Sequence, residues 1–349
     1  SRPSIEVLSE EQLSMRVRVA DAIELEGALR RPRGEDLELS TILDLLLASP
    51  GRVLALHDGS FAALTETLAA RLRGLAPYRR PGTGVATHLL AVEQVAELAE
   101  AAGRAALDAS FEAMLRRVRE APRLVPEVPA TLRADLRGYQ VEGFQWLARL
   151  AHWGAGACLA DDMGVGKTLQ ALALLIHRAS DGPALVVAPK SVCPSWMDEA
   201  RRYAPTLVMH RLAGADRVRM LREAGAGDVV VCSYGLLHAE STALAEVDWS
   251  TVVLDEAQHI KNPQTRRFQA ATELRSRFRM ACTGTPLENR LTDLWALFRF
   301  LNPGLLGTLA EFNRRWVAPI ERDGARSTGA RLVRLLRPFV LRRTKAAVL

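Results

Sequence analysis

Lysine is nearly missing from this chain of 349 residues. Of its 46 basic residues 42 are arginines, and only Lys167, Lys190, Lys261 and Lys345 remain. A coding bias toward arginine explains the bulk of that ratio. Lysine then survives where a compact ammonium and a planar guanidinium are not interchangeable, as against phosphate. Aromatic residues make up only 5% and are not interleaved with basic ones, which argues against a stacking platform for single strands. The four cysteines, Cys158, Cys193, Cys232 and Cys282, stand 35, 39 and 50 residues apart without a C-x-x-C. That spacing disfavours a zinc site or a disulfide framework and favours buried, reduced thiols. The seven histidines form no H-x-x-x-H pair, and G-x-S-x-G is missing, so neither a histidine metal site nor the commonest serine-hydrolase signal is present. No run of about 18 apolar residues occurs, and no membrane span is expected. The first residues, Ser1-Arg2-Pro3-Ser4-Ile5, carry neither an initiator methionine nor an apolar signal segment, which reads as a piece of a longer cytosolic chain.

What is present suits a soluble protein of two domains: 48% hydrophobic residues, 25% charged residues and a net charge of +6. Three prolines (Pro122, Pro126 and Pro129) mark an extended linker and divide the chain into 1–125 and 126–349. The charge divides too: residues 1–130 sum to −3 and residues 131–349 to +9. The first part reads as a smaller mixed α/β accessory domain, with a hairpin across Asp58-Gly59 and one alanine-rich helical stretch over 91–119. It holds no catalytic constellation. The second part alternates short apolar strands with helices, the pattern of a parallel sheet covered on both faces. Strands are expected at 157–160, 184–188, 207–212, 228–233, 251–254 and 279–282, and helices at 139–152, 168–179, 191–203 and 287–301.

Three strand ends in that second part carry chemistry. The run Asp161-Asp162-Met163-Gly164-Val165-Gly166-Lys167-Thr168 joins a strand to a helix. Its glycines let the backbone approach phosphate oxygens, Lys167 would reach the outer phosphates, and the Thr168 hydroxyl would ligate Mg²⁺. The standard pattern has glycine six residues before the lysine, where this chain has Asp161. Eighty-seven residues after Thr168, an apolar strand ends in Asp255-Glu256, suited to the Mg²⁺ shell and to the attacking water. A third strand ends in Thr283-Gly284-Thr285-Pro286, a turn able to bond the neighbouring acids and sense the terminal phosphate.

Seven segments in order, LRGYQ (136–140), DDMGVGKT (161–168), APKS (188–191), SYGLL (233–237), DEAQHIKN (255–262), TGTPLEN (283–289) and LRRTK (341–345), resemble the first ATPase lobe of the Swi/Snf family, DNA-stimulated translocases of helicase superfamily two. The resemblance covers about residues 130–349. Residues 1–125 look like the accessory region that precedes the motor in bacterial members. It implies a RecA-like lobe using ATP and Mg²⁺ and acting on double-stranded DNA, cytoplasmic and associated with the nucleoid. Gln140 would read the adenine edge. Asp162, Met163, Gly164, Val165, Gly166, Lys167 and Thr168 would bind nucleotide, with Thr168 and Asp255 on the metal and Lys167, Asp255 and Glu256 catalytic. Thr283, Gly284 and Thr285 would couple the nucleotide to movement between lobes. Lys190, Ser233, Tyr234, Lys261 and Asn262 would face the nucleic acid. Gly138 stands where the family has proline, and Gln258 replaces the histidine of the DEAH form. The family's second lobe supplies arginine fingers worth about 10³–10⁵ in turnover. These residues alone are therefore expected to bind ATP weakly and hydrolyse it poorly.

Residues 314–345 hold ten basic side chains against Glu321 and Asp323, which suits either phosphate neutralisation or a solvated helix that meets a second lobe. Residues 1–125 could dock a protein partner. Two other functions stay open: an RNA-directed helicase, against which LRRTK and DEAQHIKN argue, and a nucleotide-gated nucleic-acid scaffold without turnover, against which Glu256 argues.

Overall fold

The computed structural model describes residues 5–49, 51–80, 85–284, 290–322 and 324–348. The chain forms two compact units, Ser1–Glu120 and Ala121–Leu349.

In the first unit, strand Ile5–Leu8 lies parallel to Phe61–Leu64, which pairs antiparallel with Val53–Ala55. The hairpin closes through Gly59 at φ 80°, and the Asp58 carboxylate accepts from the Ser60 amide at 2.9 Å. The outward face of this small sheet leaves Ile5, Val7, Val53 and Phe61 exposed. A second sheet runs Arg79–Arg80, Val85–Thr87, Ile23–Leu29, Leu13–Val19, Arg104–Leu107. Its strand Leu13–Val19 alternates buried Leu13, Met15 and Val17 with exposed Ser14, Arg16 and Arg18, as a sheet with one covered face requires. The alanine-rich stretch is not one helix, contrary to its periodicity. It is Val92–Ala101, then strand Arg104–Leu107, then Ala109–Glu120. Gly103 is the reason: its amide donates to Glu10 O at 3.0 Å, and a β-carbon there would collide with the Glu11 carbonyl. The residues after it pair parallel with Leu13–Val19, a long-range gain that helical spacing cannot reveal.

The second unit is built on seven parallel strands in the order Val208–Arg211, Asp228–Ser233, Ala184–Ala188, Trp249–Leu254, Ser276–Cys282, Ala157–Leu159, Val340–Leu341. Helices Gly138–Trp153, Lys167–His177, Cys193–Tyr203, Arg266–Glu273 and Leu291–Leu301 are among those that flank it. This is the expected α/β sheet. Val340–Leu341 adds an edge strand that two residues could not announce in sequence. Both Ala184–Ala188 and Trp249–Leu254 are buried along their whole length, the mark of central strands covered on both faces. Each such Val or Leu side chain contributes about 1.5–3 kcal/mol by leaving water. All four cysteines are free and buried. Trp295 is also core, at 7% exposure. The arginine-rich stretch is not uniformly solvated: Arg315 and Arg331 sit 5.1 and 5.9 Å from the ring of Trp316, which is fully buried.

One side chain fixes where the phosphate-loop strand begins. Asn302, at the end of helix Leu291–Leu301, accepts from Gly156 N at 2.9 Å and donates to Gly156 O at 3.3 Å. A β-carbon at Gly156 would strike the Leu301 carbonyl, so the two backbones are in direct apposition. Replacing Asn302 with alanine strands a buried N–H and a buried C=O. The expected cost is about 1–3 kcal/mol. A thermal melt should show the midpoint falling by several degrees, and an unchanged midpoint would show that Asn302 does not hold this junction.

Candidate functional site

The carboxyl ends of four adjacent strands meet at one place. Ala157–Leu159 leads into the phosphate loop, Ser276–Cys282 into Thr283, Trp249–Leu254 into Asp255, and Ala184–Ala188 into Lys190. Strands stand about 4.8 Å apart, so the loop and the acids face each other across roughly 10 Å with Thr283 between them. That gap at strand ends is where open α/β sheets bind ligands.

The loop reaches the helix Lys167–His177 through Gly164 and Gly166, at φ 82° and 83°. Only glycine takes that backbone cheaply, and a β-carbon at Gly166 would also meet the Gln140 amide. Lys167 Nζ folds back to donate to Asp161 O at 2.7 Å and Asp162 O at 3.0 Å. Thr168 follows on the first turn, partly exposed. Gln140, the residue expected to read the adenine edge, lies against the loop. It is 6% exposed, its Oε1 accepts from Arg137 N at 2.9 Å, and its Nε2 donates to Val165 O at 3.1 Å. Tyr139 donates its hydroxyl to the same carbonyl at 3.0 Å. Both side chains brace the loop.

Asp161 explains itself as a buried acid. It is 0% exposed, and Arg343 gives it a backbone N–H at 2.8 Å and a guanidinium at 2.5–3.2 Å. Arg343 also donates to the Tyr139 carbonyl and, at 2.9 Å, to Gln170 Oε1. In sequence the LRRTK segment is a family mark without a structural role. Only the edge-strand pairing shows that it lies on the loop.

Asp255 emerges where Trp249–Leu254 ends, its amide donating to Val187 O at 2.8 Å. The indole of Trp196, buried on helix Cys193–Tyr203, donates to Asp255 Oδ2 at 2.8 Å, and Glu256 N donates to Oδ1 at 3.0 Å. Burial pushes the Asp255 carboxyl above its usual range, and the neighbouring Glu256 charge adds to this; the Trp196 bond and Lys167 pull the other way. Glu256 has φ 49° and is the sole non-glycine residue with positive φ among the described residues. Its Oε2 accepts from Gln258 Nε2 at 2.8 Å, and Gln258 Oε1 accepts from Thr283 Oγ1 at 3.2 Å. Gln258 thus ties the second acid to the end of the next strand. Gly284 lies against the loop: a β-carbon there would be 2.6 Å from Met163 Cγ and 3.6 Å from Lys167 Nζ. Thr285 falls outside the described residues. Sequence reading missed Trp196, whose only signal was an indole one turn into the helix after APKS.

The residues expected to face nucleic acid separate into two groups. Lys190 and Ser233 line one cleft of about 380 Å³ together with Arg211, which sequence reasoning did not single out. Lys261 and Asn262 are exposed after the short turn Ala257–Ile260. Asn262 accepts from Gln264 N at 3.0 Å and so shapes the next turn. Tyr234 is 3% exposed; its hydroxyl donates to Asp255 O at 2.8 Å, and its ring stacks on His259 at 4.8 Å. Its chain neighbours Ser233 and Gly235 line the cleft.

No described cluster of three or more His, Cys, Asp or Glu side chains could hold a metal alone. The Thr168 hydroxyl and the Asp255 carboxylate are hard oxygen donors, the kind that would suit Mg²⁺. None of the described helices is long and apolar enough to cross a membrane.

Comparison with known proteins bears on the family and the fold. The model of the SNF2-related domain matches residues 139–349. YwqA of Bacillus subtilis is 43% identical over 251 residues, 68% of this chain and 27% of its own length. The ISWI chromatin-remodeling complex ATPase CHR11 of Arabidopsis thaliana is 37% identical over 229 residues, 63% of this chain and 22% of its own length. This chain therefore spans about a quarter of these relatives. The SWI2/SNF2 ATPase core of Sulfolobus solfataricus, solved in complex with dsDNA, superposes with a TM-score of 0.59 at 42% identity, covering 64% of this chain and 47% of that one.

The bond from Trp196 to Asp255 makes a measurable prediction. Trp196→Phe keeps the ring packing and removes the donor that steadies the ionised carboxylate. The Mg²⁺ midpoint for nucleotide binding should rise about tenfold, as for other partners of metal ligands. Because the Asp255 carboxyl already titrates high, Mg²⁺-dependent binding should fade with falling pH sooner than an ordinary aspartate would allow, and sooner still in Trp196→Phe. A titration of Mg²⁺ at two pH values with a fluorescent ATP analogue checks both, and identical midpoints would refute the link.

Proposed function

The chain belongs to the SNF2-related domain family, and from that premise we propose that residues 126–349 form the first RecA-like lobe of an ATP-driven translocase that works on double-stranded DNA. Residues 1–125 form its accessory domain, and a second RecA-like lobe completes the motor. The observation that carries this reading is the joining of the phosphate loop to the acid pair: Lys167 at one strand end, Asp255 and Glu256 two strands away, with Gln258 linking Glu256 to Thr283 between them.

In this reading Lys167 exchanges its two loop carbonyls for phosphate oxygens, and the N–H groups opening helix Lys167–His177 face the same anion. Thr168 and Asp255 would hold Mg²⁺, which spreads the charge of the transferring phosphoryl group. Glu256 accepts a proton from the attacking water, and Gln258 keeps its carboxylate from swinging away. A non-glycine residue in the left-handed region is strained by roughly 1–3 kcal/mol, a cost that catalytic positions tolerate when it aims a side chain. Thr283 and Gly284 pass the state of the phosphates to the next strand end.

Duplex DNA is proposed as the track because the solved archaeal relative holds dsDNA, and because Lys190 and Arg211 flank one cleft as a phosphate backbone requires. Lys261 and Asn262 extend that track. Tyr234 would report occupancy of the cleft to Asp255 through the carbonyl it holds.

In the complete protein, Glu256→Gln should lower ATP hydrolysis by roughly 10²–10⁴ while leaving ATP binding unchanged. Stimulation of the wild-type rate should be greatest with duplex DNA; a preference for RNA would mean an RNA-directed helicase, and DNA-dependent activity untouched by Glu256→Gln would mean a scaffold. Tyr234→Phe, which removes only the hydroxyl on Asp255 O, should reduce the stimulation by DNA more than the basal rate. Equal losses in both would deny Tyr234 the reporting role.

A further inference from the structure

We propose that Arg343 is a positioning residue for the phosphate loop, acting through the buried Asp161 carboxylate, and that residues 341–345 thereby set the affinity of the loop for nucleotide. The proposal rests on the reading of residues 161–168 as the nucleotide site. Its starting point is an anomaly: a fully buried carboxylate stands where such loops have glycine, beside a place meant for polyphosphate. An uncompensated negative charge there would repel the ligand and resist burial.

Arg343 resolves the anomaly with a contact that only a guanidinium can make. One face of the fork meets both Asp161 oxygens, another N–H reaches the Tyr139 carbonyl, and the Nη2 atom also donates to Gln170. The cation further lies 5.2 Å from the centre of the Tyr139 ring. A single side chain therefore gathers the helix before the loop, the loop itself and the helix after it. The ammonium of a lysine has neither the reach nor the planar fork.

The backbone makes the same connection. Cys158 and Leu159 register with Val340 and Leu341, and the pairing continues past the strand into the loop. Ala160 N donates to Leu341 O at 2.7 Å, Asp162 N to Arg343 O at 3.1 Å, and Lys345 N to the Asp162 carboxylate at 2.9 Å. The two residues held in this way, Asp161 and Asp162, are those whose carbonyls accept from Lys167 Nζ. A shift of residues 341–345 along the strand axis must move the acceptors of Lys167. By reciprocity, exchanging those acceptors for phosphate must bias the position of the segment. Alternation along the segment points Arg343 inward and leaves Arg342 and Thr344 exposed, so a pull applied from outside can reach the loop.

The test uses four variants of the complete protein, with affinity for a fluorescent ATP analogue and the nucleotide-free thermal midpoint measured for each. Arg343→Met should weaken binding about tenfold or more and lower the midpoint. Arg343→Lys should restore neither fully. Pairing Asp161→Gly with Arg343→Met removes the buried charge and its partner together, so the midpoint should recover while affinity stays low. If that double variant, or Arg343→Lys, binds nucleotide as the wild type does, the pair serves packing alone and the proposal falls. Lys167→Ala is the control. Unchanged binding in that variant would overturn the nucleotide site itself, whereas lost binding there with normal binding in the Arg343 variants overturns only the role of Arg343.

Discussion

Four carboxylates stand at strand ends where a polyphosphate is expected to bind, and the site depends on how that negative charge is held. Two like charges about 4 Å apart repel by roughly 4 kcal/mol at the effective dielectric of a protein surface. Each acid is therefore tied to a donor that fixes its direction. Asp161 has the Arg343 fork, Asp162 the Lys345 amide, Asp255 the Trp196 indole and the Glu256 amide, and Glu256 the Gln258 side chain. With each acid tied in this way, Lys167 Nζ donates to two loop carbonyls.

The strand order turns this local arrangement into a property of the fold. The phosphate-loop strand and the acid strand are separated only by Ser276–Cys282, although their residues lie far apart in the chain. A parallel sheet aligns all carboxyl ends on one edge, so residues from four adjacent strand ends become neighbours without any long loop. Asn302 sets the start of the inner strand and LRRTK sets the start of its loop. The same strand is thus gripped before and after its short length of three residues.

Much of this was legible beforehand. Ala184–Ala188 and Asp228–Ser233 begin and end where the apolar runs do, because buried parallel strands are apolar on both faces. The loop and the acids were visible because backbone approach and charge restrict residue choice. The alanine-rich stretch misled because its strand forms by pairing with residues some ninety positions earlier, which no local period encodes. Tyr234 and Gln140 show a different limit of sequence. Their residue types suit surface recognition, but where the side chain points depends on neighbours from other strands: Asp255 for one, Val165 for the other. Trp196 and Arg343 went unassigned for the same reason, since an indole or guanidinium in sequence does not reveal which carboxylate it will meet.

Glu256 is constrained in a way that reaches beyond chemistry. Its backbone lies in a region that glycine enters freely and that asparagine tolerates better than glutamate does. Selection for a sturdier fold would push this position toward those residues, while selection for turnover would oppose every such step. Drift here has no neutral path: a variant that relaxes the backbone gives up the carboxylate. Such a position should stay unchanged while the surrounding surface diverges, and an inert descendant of this lobe would be expected to lose glutamate there early.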